Sequence, residues 1–257
     1  MNLVEGLHKY ESEVDGCRIS FTSRYNNDSD EVILFLHGLG CSSDSFSNLF
    51  DKDYFPDKSL LLIDLPGFGE SSKPELFTYS MEDTAAVVEK LISTLPFLNI
   101  HIAAHSMGGA VALLFSNKFY EKVISFSNIE GNLIKEDCGL MSSGIVSVPF
   151  EEYSRVVFPA QMKEFEGHNQ FRLNSTTAKA VYKSASSLVN WSYSGKLLEK
   201  FILLKSRKCY FYGEENSSIP VLREIEGIPS FMIHGAGHAM MTENPEEFYS
   251  KLKLFIQ

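Results

Sequence analysis

A series of short apolar runs, each closed by glycine or by a polar residue, constrains this chain more than any other feature. Val32 to Leu36 ends in His37-Gly38-Leu39-Gly40, and Ser59 to Ile63 in Asp64-Leu65-Pro66-Gly67-Phe68-Gly69. Ile100 to Ala104 ends in His105-Ser106-Met107-Gly108-Gly109, and Val123 to Ile129 in Glu130-Gly131-Asn132. Lys208 to Tyr212 ends in Gly213, and Ser230 to Ile233 leads to His234-Gly235-Ala236-Gly237-His238. Runs this short and this uniformly apolar suit strands buried on both faces of a parallel sheet. Between them, Met81, Ala85, Val88, Leu91, Ile92 and Leu95 share one helical face, and Ala110 to Phe119 also reads as helix. Alternation of this kind predicts an α/β fold with a doubly wound, mostly parallel sheet.

The ends of the chain fit the same frame. Lys9 to Val14 and Cys17 to Arg24 flank Asp15-Gly16, a strong hairpin signal. A closing helix is expected from about Pro245 to Phe255, with Asn244 as cap, Pro245 at the first helical position and Glu247 at capping-box spacing. No strand run occurs between residue 131 and about 190, where Pro149 to Val157 and Thr176 to Val189 look helical. The expected organisation is a core of residues 1–130 and 191–257, with 131–190 as a helical lid inserted after the sixth strand.

Ser106 stands between small residues where a strand turns into a helix. Such a turn holds its central residue in a strained backbone conformation and lets strand and helix pass closely only if the neighbours are small. The serine hydroxyl then projects above the carboxyl end of the sheet, and the N–H of Met107 points where an oxyanion would form. Ligands of open parallel sheets gather at that edge. His37, Gly38, Asp64, Ser106, Glu130, Glu214, Glu215 and His238 all fall there, which chance does not readily produce.

Composition narrows the partners. The 257 residues are 44% hydrophobic and carry a formal net charge of -10 without a basic block, which argues against nucleic acid or an anionic membrane as the main partner. Cys17, Cys41, Cys138 and Cys209 have no metal-ligand spacing and read as reduced thiols. No stretch approaches a membrane span or a signal peptide, so a cytoplasmic location is the expectation. No metal and no organic cofactor is expected, and the oligomeric state is left open.

With these motifs in order, the chain resembles the α/β-hydrolase superfamily, specifically its lid-bearing members, over almost everything outside the lid. His37 to Gly40 is similar to the family's oxyanion loop, and Asp64 to Ser71 to the structural turn after the fourth strand. Ala104 to Gly108 resembles the nucleophile elbow, with Ala104 in place of the usual first glycine, and Gly235 to His238 resembles the loop that delivers the catalytic histidine. The resemblance implies Ser106 as nucleophile, His238 as base and then acid, and the N–H groups of Leu39 and Met107 as oxyanion hole. His37, Gly38 and His105 would line the site. His234 and His101 are expected in the core, and Asp64 in a turn.

The acid departs from the family pattern. Relatives carry an aspartate in a Gly-x-x-Asp turn after the seventh strand, where this chain has Gly213-Glu214-Glu215-Asn216. Three readings compete: Glu130 at the end of the preceding strand, Glu215 or Glu214 in a shifted turn, or an incomplete triad. An ionised residue closing an apolar strand is costly unless paired, which favours Glu130.

The resulting expectation is a serine hydrolase (carboxylesterase- or lipase-like) cleaving a small-molecule ester or related acyl compound through an acyl-enzyme. Hydrolysis of a carbon–carbon bond by the same triad stays open. The alternative is a catalytically weak or inactive small-molecule binding protein. Asp137 and Cys138 are candidates to line the pocket, with a capping role for Asp137 equally open. Leu140, Ile145, Val146, Val148, Phe150 and Phe158 lean towards a lipophilic or aromatic substrate, although they serve equally as the lid's own core.

Overall fold

The computed structural model describes residues 2–166 and 172–257; residues 167–171 of the expected lid, and the side chain of Leu140, lie outside the described residues. Its strands are β1 (Gly6–Val14), β2 (Cys17–Tyr25), β3 (Glu31–Leu36), β4 (Ser59–Ile63), β5 (Asn99–His105), β6 (Val123–Ile129), β7 (Arg207–Gly213) and β8 (Ser230–Ile233). They form one sheet in the order β1-β2-β4-β3-β5-β6-β7-β8. β2 is antiparallel to β1 and β4, and every later pairing is parallel. Asp15 and Gly16 both have positive φ (48° and 77°), as a tight two-residue hairpin between Val14 and Cys17 requires.

The apolar runs are explained by two-sided burial. Ile33, Phe35, Leu60, Leu62 and Ala103 face one core with Phe248, Tyr249 and Leu252 of the closing helix. Their neighbours Val32, Leu34, Leu36, Leu61 and Ile102 face the other, against Val88 and Leu91 of α1 (Met81–Ser93) and Val111 of α2 (Met107–Leu113). β4 and β5 lie on opposite sides of β3, so the strand order reverses there. The crevice of a doubly wound sheet opens at that reversal, which separates the carboxyl ends of β3 and β5.

Three local expectations are corrected. The helix expected over Ala110 to Phe119 breaks, because Ser116 turns extended and caps a second short helix, α3 (Asn117–Tyr120), while Glu89 accepts from its N–H and hydroxyl. The capping box at Asn244 is half made: its side chain accepts from Glu247 N–H, but the Glu247 carboxylate accepts from His234 N–H and sits 2.7 Å from His234 Nδ1. His234 is consequently not core; its side chain is 60% exposed.

Between β6 and β7 the described chain is helical. It comprises a turn at Lys135–Cys138 and helices Gly139–Val146, Ala178–Tyr193 and Lys196–Leu203, with a helical stretch from Phe150 to Glu164 that includes a wider turn at Tyr153–Val157. The helix Ala178–Tyr193 runs across the boundary expected at residue 190. Ile145, Phe158, Val181 and Leu188 belong to the same apolar cluster as β3 and α1, so this segment packs on the main core. No helix among the described residues is long and apolar enough to cross a membrane.

Candidate active site

The turn after β5 has the geometry its residue types predict. Ser106 adopts φ 51° and ψ -120°, a conformation that costs a non-glycine residue on the order of 1–3 kcal/mol. A Cβ on Gly108 would lie 2.6 Å from the Leu36 carbonyl oxygen, so only glycine lets α2 cross this close to β3. Ala104 is fully buried and takes its methyl into the core without disturbing its pairing to Leu36 and Asn128. Met107 opens α2, so its N–H has no acceptor within the helix and is available at the turn.

The loop after β3 is braced from the opposite side of the crevice. Leu65 N–H donates to His37 Nε2 at 3.0 Å, which leaves the ring proton on Nδ1, 2.8 Å from the Gly38 carbonyl. Burial lowers the His37 imidazole from its ordinary value and keeps it neutral in this role. Asp64 accepts from Ser43 N–H and Glu70 N–H at 2.8 Å each, tying the two turns together. A Cβ on Gly69, at φ +53°, would fall 2.3 Å from the Asp64 carboxyl carbon, so this turn too admits only glycine.

The loop after β8 carries His238, whose side chain is 52% exposed, next to Glu130, whose side chain is 6% exposed. His238 Nδ1 lies 2.6 Å from Glu130 Oε2. Glu130 has φ 40° and directly follows β6, and its carboxylate also accepts from Gly213 N–H (2.9 Å) and from Asn216 Nδ2 (3.0 and 2.9 Å to the two oxygens). Asn216, standing where the family pattern has an aspartate, is thus a donor to the carboxylate on the neighbouring strand. Glu214 and Glu215 are engaged elsewhere. Glu214 accepts from Gly235 N–H at 2.8 Å, and the Glu215 carboxylate lies against Gly237.

Ser106, His238 and Glu130 all line one cavity of about 350 Å³, together with Gly38, Leu39 and His105. Among the described residues no hydrogen bond joins the Ser106 hydroxyl to His238; bonds of this kind often tighten only around a substrate. The cavity's apolar wall comes from Leu39, Met141, Tyr210, Ile219, Pro220 and Met241, none of which the sequence singled out beyond Leu39. Ile145, Val146, Val148, Phe150 and Phe158 are absent from that wall and so do not face a substrate there, although the cavity itself is mainly apolar. Asp137 and Cys138 do line it, and Asp137 also accepts from Leu133 and Ile134 N–H at 2.8 and 3.0 Å. Burial, with Glu136 and Glu130 nearby, pushes the Asp137 carboxyl up to about 6 against those two bonds. His101 lies in the middle of β5, buried between Ser125 (2.7 Å) and Glu31 (3.3 Å).

A hydroxyl on a strained turn, an imidazole paired to a buried carboxylate, and free backbone N–H groups at a helix start form the equipment of acyl transfer. Comparison with known proteins agrees at the level of the fold. The model of the α/β hydrolase fold matches residues 31–137. Lipase 3 of Moraxella sp. (strain TA144) is 29% identical over 121 residues, 47% of this chain and 36% of the lipase. The chain therefore spans about a third of the length of the first curated relatives it matches. A putative esterase/lipase of Haemophilus influenzae is 22% identical over 88% of this chain and 83% of its own length. Among solved structures, a mutant of the N-acyl homoserine lactonase AidH complexed with N-hexanoyl homoserine superposes with a TM-score of 0.75. It shares 17% identity and covers 97% of this chain and 96% of its own. Residues 31–137 thus match the α/β hydrolase fold family, and the chain as a whole shares the fold of these proteins.

Proposed function

We propose that this protein is a serine hydrolase that cleaves a small, largely apolar ester or related acyl compound. The observation that carries the reading is the 2.6 Å contact between His238 Nδ1 and the buried Glu130 carboxylate, in a cavity that Ser106 also lines. The relatives named lipase or esterase/lipase support the reaction class.

In the proposed cycle, Ser106 Oγ attacks the acyl carbonyl while His238 Nε2 takes its proton. Glu130 accepts a hydrogen bond from Nδ1–H, fixes the tautomer in which Nε2 is free to act as base, and stabilises the imidazolium that forms. The N–H groups of Leu39 and Met107 hold the tetrahedral oxyanion, a contribution of about 3–4 kcal/mol per donor in comparable sites. Collapse of the intermediate breaks the carbonyl–oxygen bond, and the leaving alcohol departs with the proton from His238. Water then repeats the sequence on the acyl-enzyme, releasing the carboxylic acid and Ser106. Each step draws only on these side chains and N–H groups.

Four free, buried cysteines suit a reducing compartment, and the cytoplasm is the location proposed. The test is hydrolysis of p-nitrophenyl acetate and butyrate by the wild type, Ser106→Ala and His238→Asn. Turnover in the wild type, and a loss of about a thousandfold or more in both variants, is expected. Equal rates in all three would remove the assignment.

A further inference from the structure

His105 lines the cavity beside the nucleophile, and the proposed cycle gives it no task. His105 is 4% exposed, ends β5 and immediately precedes Ser106. Its Nε2 lies 2.9 Å from the main-chain carbonyl of His238, and the two rings pack with centroids 4.6 Å apart. Its backbone is fixed by pairing with Ile129, and Ser106 N–H donates to the Ile129 carbonyl at 3.0 Å. The residues before His238 are held by other bonds, with Gly235 N–H on Glu214 and Gly237 N–H on Glu243 (2.7 Å).

We propose that His105 is a positioning residue: its Nε2–H ties the His238 carbonyl to the strand that carries Ser106, so the base is held in register with the nucleophile. This rests on the serine-hydrolase reading given above. A carbonyl oxygen only accepts, so the contact fixes the tautomer with the proton on Nε2. Nδ1 is then bare, and it is buried without a partner; a Cβ on Gly38 would lie only 3.1 Å from it. Burial, with His238 alongside, takes the His105 imidazole well below its ordinary value. The tether therefore remains a neutral donor across the working pH range, and no second cation sits beside His238 when that ring is protonated during turnover.

Gln and Met are matched in length at this position and differ in the donor. His105→Gln should keep kcat within about fivefold of the wild type, whereas His105→Met should lose about tenfold to a hundredfold in kcat with KM for a small ester little changed. A packing role predicts the opposite order, because a buried Met is tolerated better than a buried Gln; thermal midpoints measured alongside make that comparison. Equal activity of the two variants, or activity that follows the midpoints, would overturn the proposal. Two NMR readings do not depend on turnover. Nitrogen-15 histidine spectra of the unmodified protein should show His105 as the Nε2–H tautomer from about pH 5 to about 8. The downfield proton between His238 Nδ1 and Glu130 should persist in the Gln variant and broaden in the Met variant. The other tautomer, or an unchanged downfield proton in the Met variant, would overturn the tether. A wild type without turnover but with both signals as expected would instead count against the serine chemistry alone.

Discussion

Replacing Glu130 with glutamine should be far more damaging than the loss of one charge suggests. The Glu130 carboxylate receives donors on both oxygens: Gly213 N–H on Oε1, His238 on Oε2, and Asn216 Nδ2 on both. A glutamine has one acceptor oxygen. If that oxygen keeps Gly213, the new amide NH₂ faces His238 Nδ1 and selects the tautomer with the proton on Nε2, which cannot take a proton from Ser106. If it turns towards His238, two N–H groups confront Gly213 and Asn216 in a buried site. In either case the imidazolium also loses its counter-charge. By comparison with the asparagine replacement of the triad acid in serine proteases, kcat/KM should fall about 10³–10⁴-fold. That corresponds to about 4–5.5 kcal/mol of transition-state stabilisation at 1.36 kcal/mol per tenfold. The assay is kcat/KM on p-nitrophenyl butyrate, with far-ultraviolet circular dichroism to verify folding. A folded Glu130→Gln variant within tenfold of the wild type would refute the reasoning, and would reopen Glu214 and Glu215 as the acid.

Other expectations follow from the same contacts. Asn216→Ala removes the amide donor from Glu130 and should lower kcat about tenfold, read in the same ester assay. Gly108→Ala drives a methyl into the Leu36 carbonyl and should destabilise by more than about 2 kcal/mol, measured by urea unfolding. Asp137 is raised to about 6, so the folded state binds a proton that the unfolded chain releases at its lower pKa, and stability is lost as pH rises from about 4 to about 6. Asp137→Asn should therefore gain thermal midpoint over the wild type across that window and hold the gain above it. His37, His101 and His105 are all lowered by burial, so they favour unfolding as pH falls below about 6.5, where the released rings take up protons. Urea midpoints should drop between pH values on either side of that point.

The sheet was legible because its signal is local. Every strand run expected from the sequence became a strand, within a few residues at each end, since residues such as Ile33 and Leu34 are buried on opposite faces and leave no polar gap in the run. The strand ends also indicated where Ser106, Glu130 and His238 would fall, and all three line one cavity. What the sequence concealed depends on contacts distant in the chain. Asn216 meets Glu130 across 86 positions; the only hint was an amide at the place of an expected carboxylate. His234 ends an apolar strand yet is exposed, because Glu247 from the closing helix draws it outward. The residues after β6 gave a helical pattern but no orientation. Ile145 and Phe158 turned to the main core, while Met141 faced the cavity. The break at Ser116 was written as a serine after an aromatic residue, a weak capping signal that Glu89 makes effective.

The central claim is that Ser106 is an activated nucleophile. Intact-mass spectrometry after exposure to a fluorophosphonate probe tests this most directly, since such probes report an activated serine whatever the natural substrate. A single adduct is predicted on the wild type, located on the peptide that contains Ser106 and absent from Ser106→Ala. A folded wild type that remains unmodified, or an adduct that survives in Ser106→Ala, would contradict the claim.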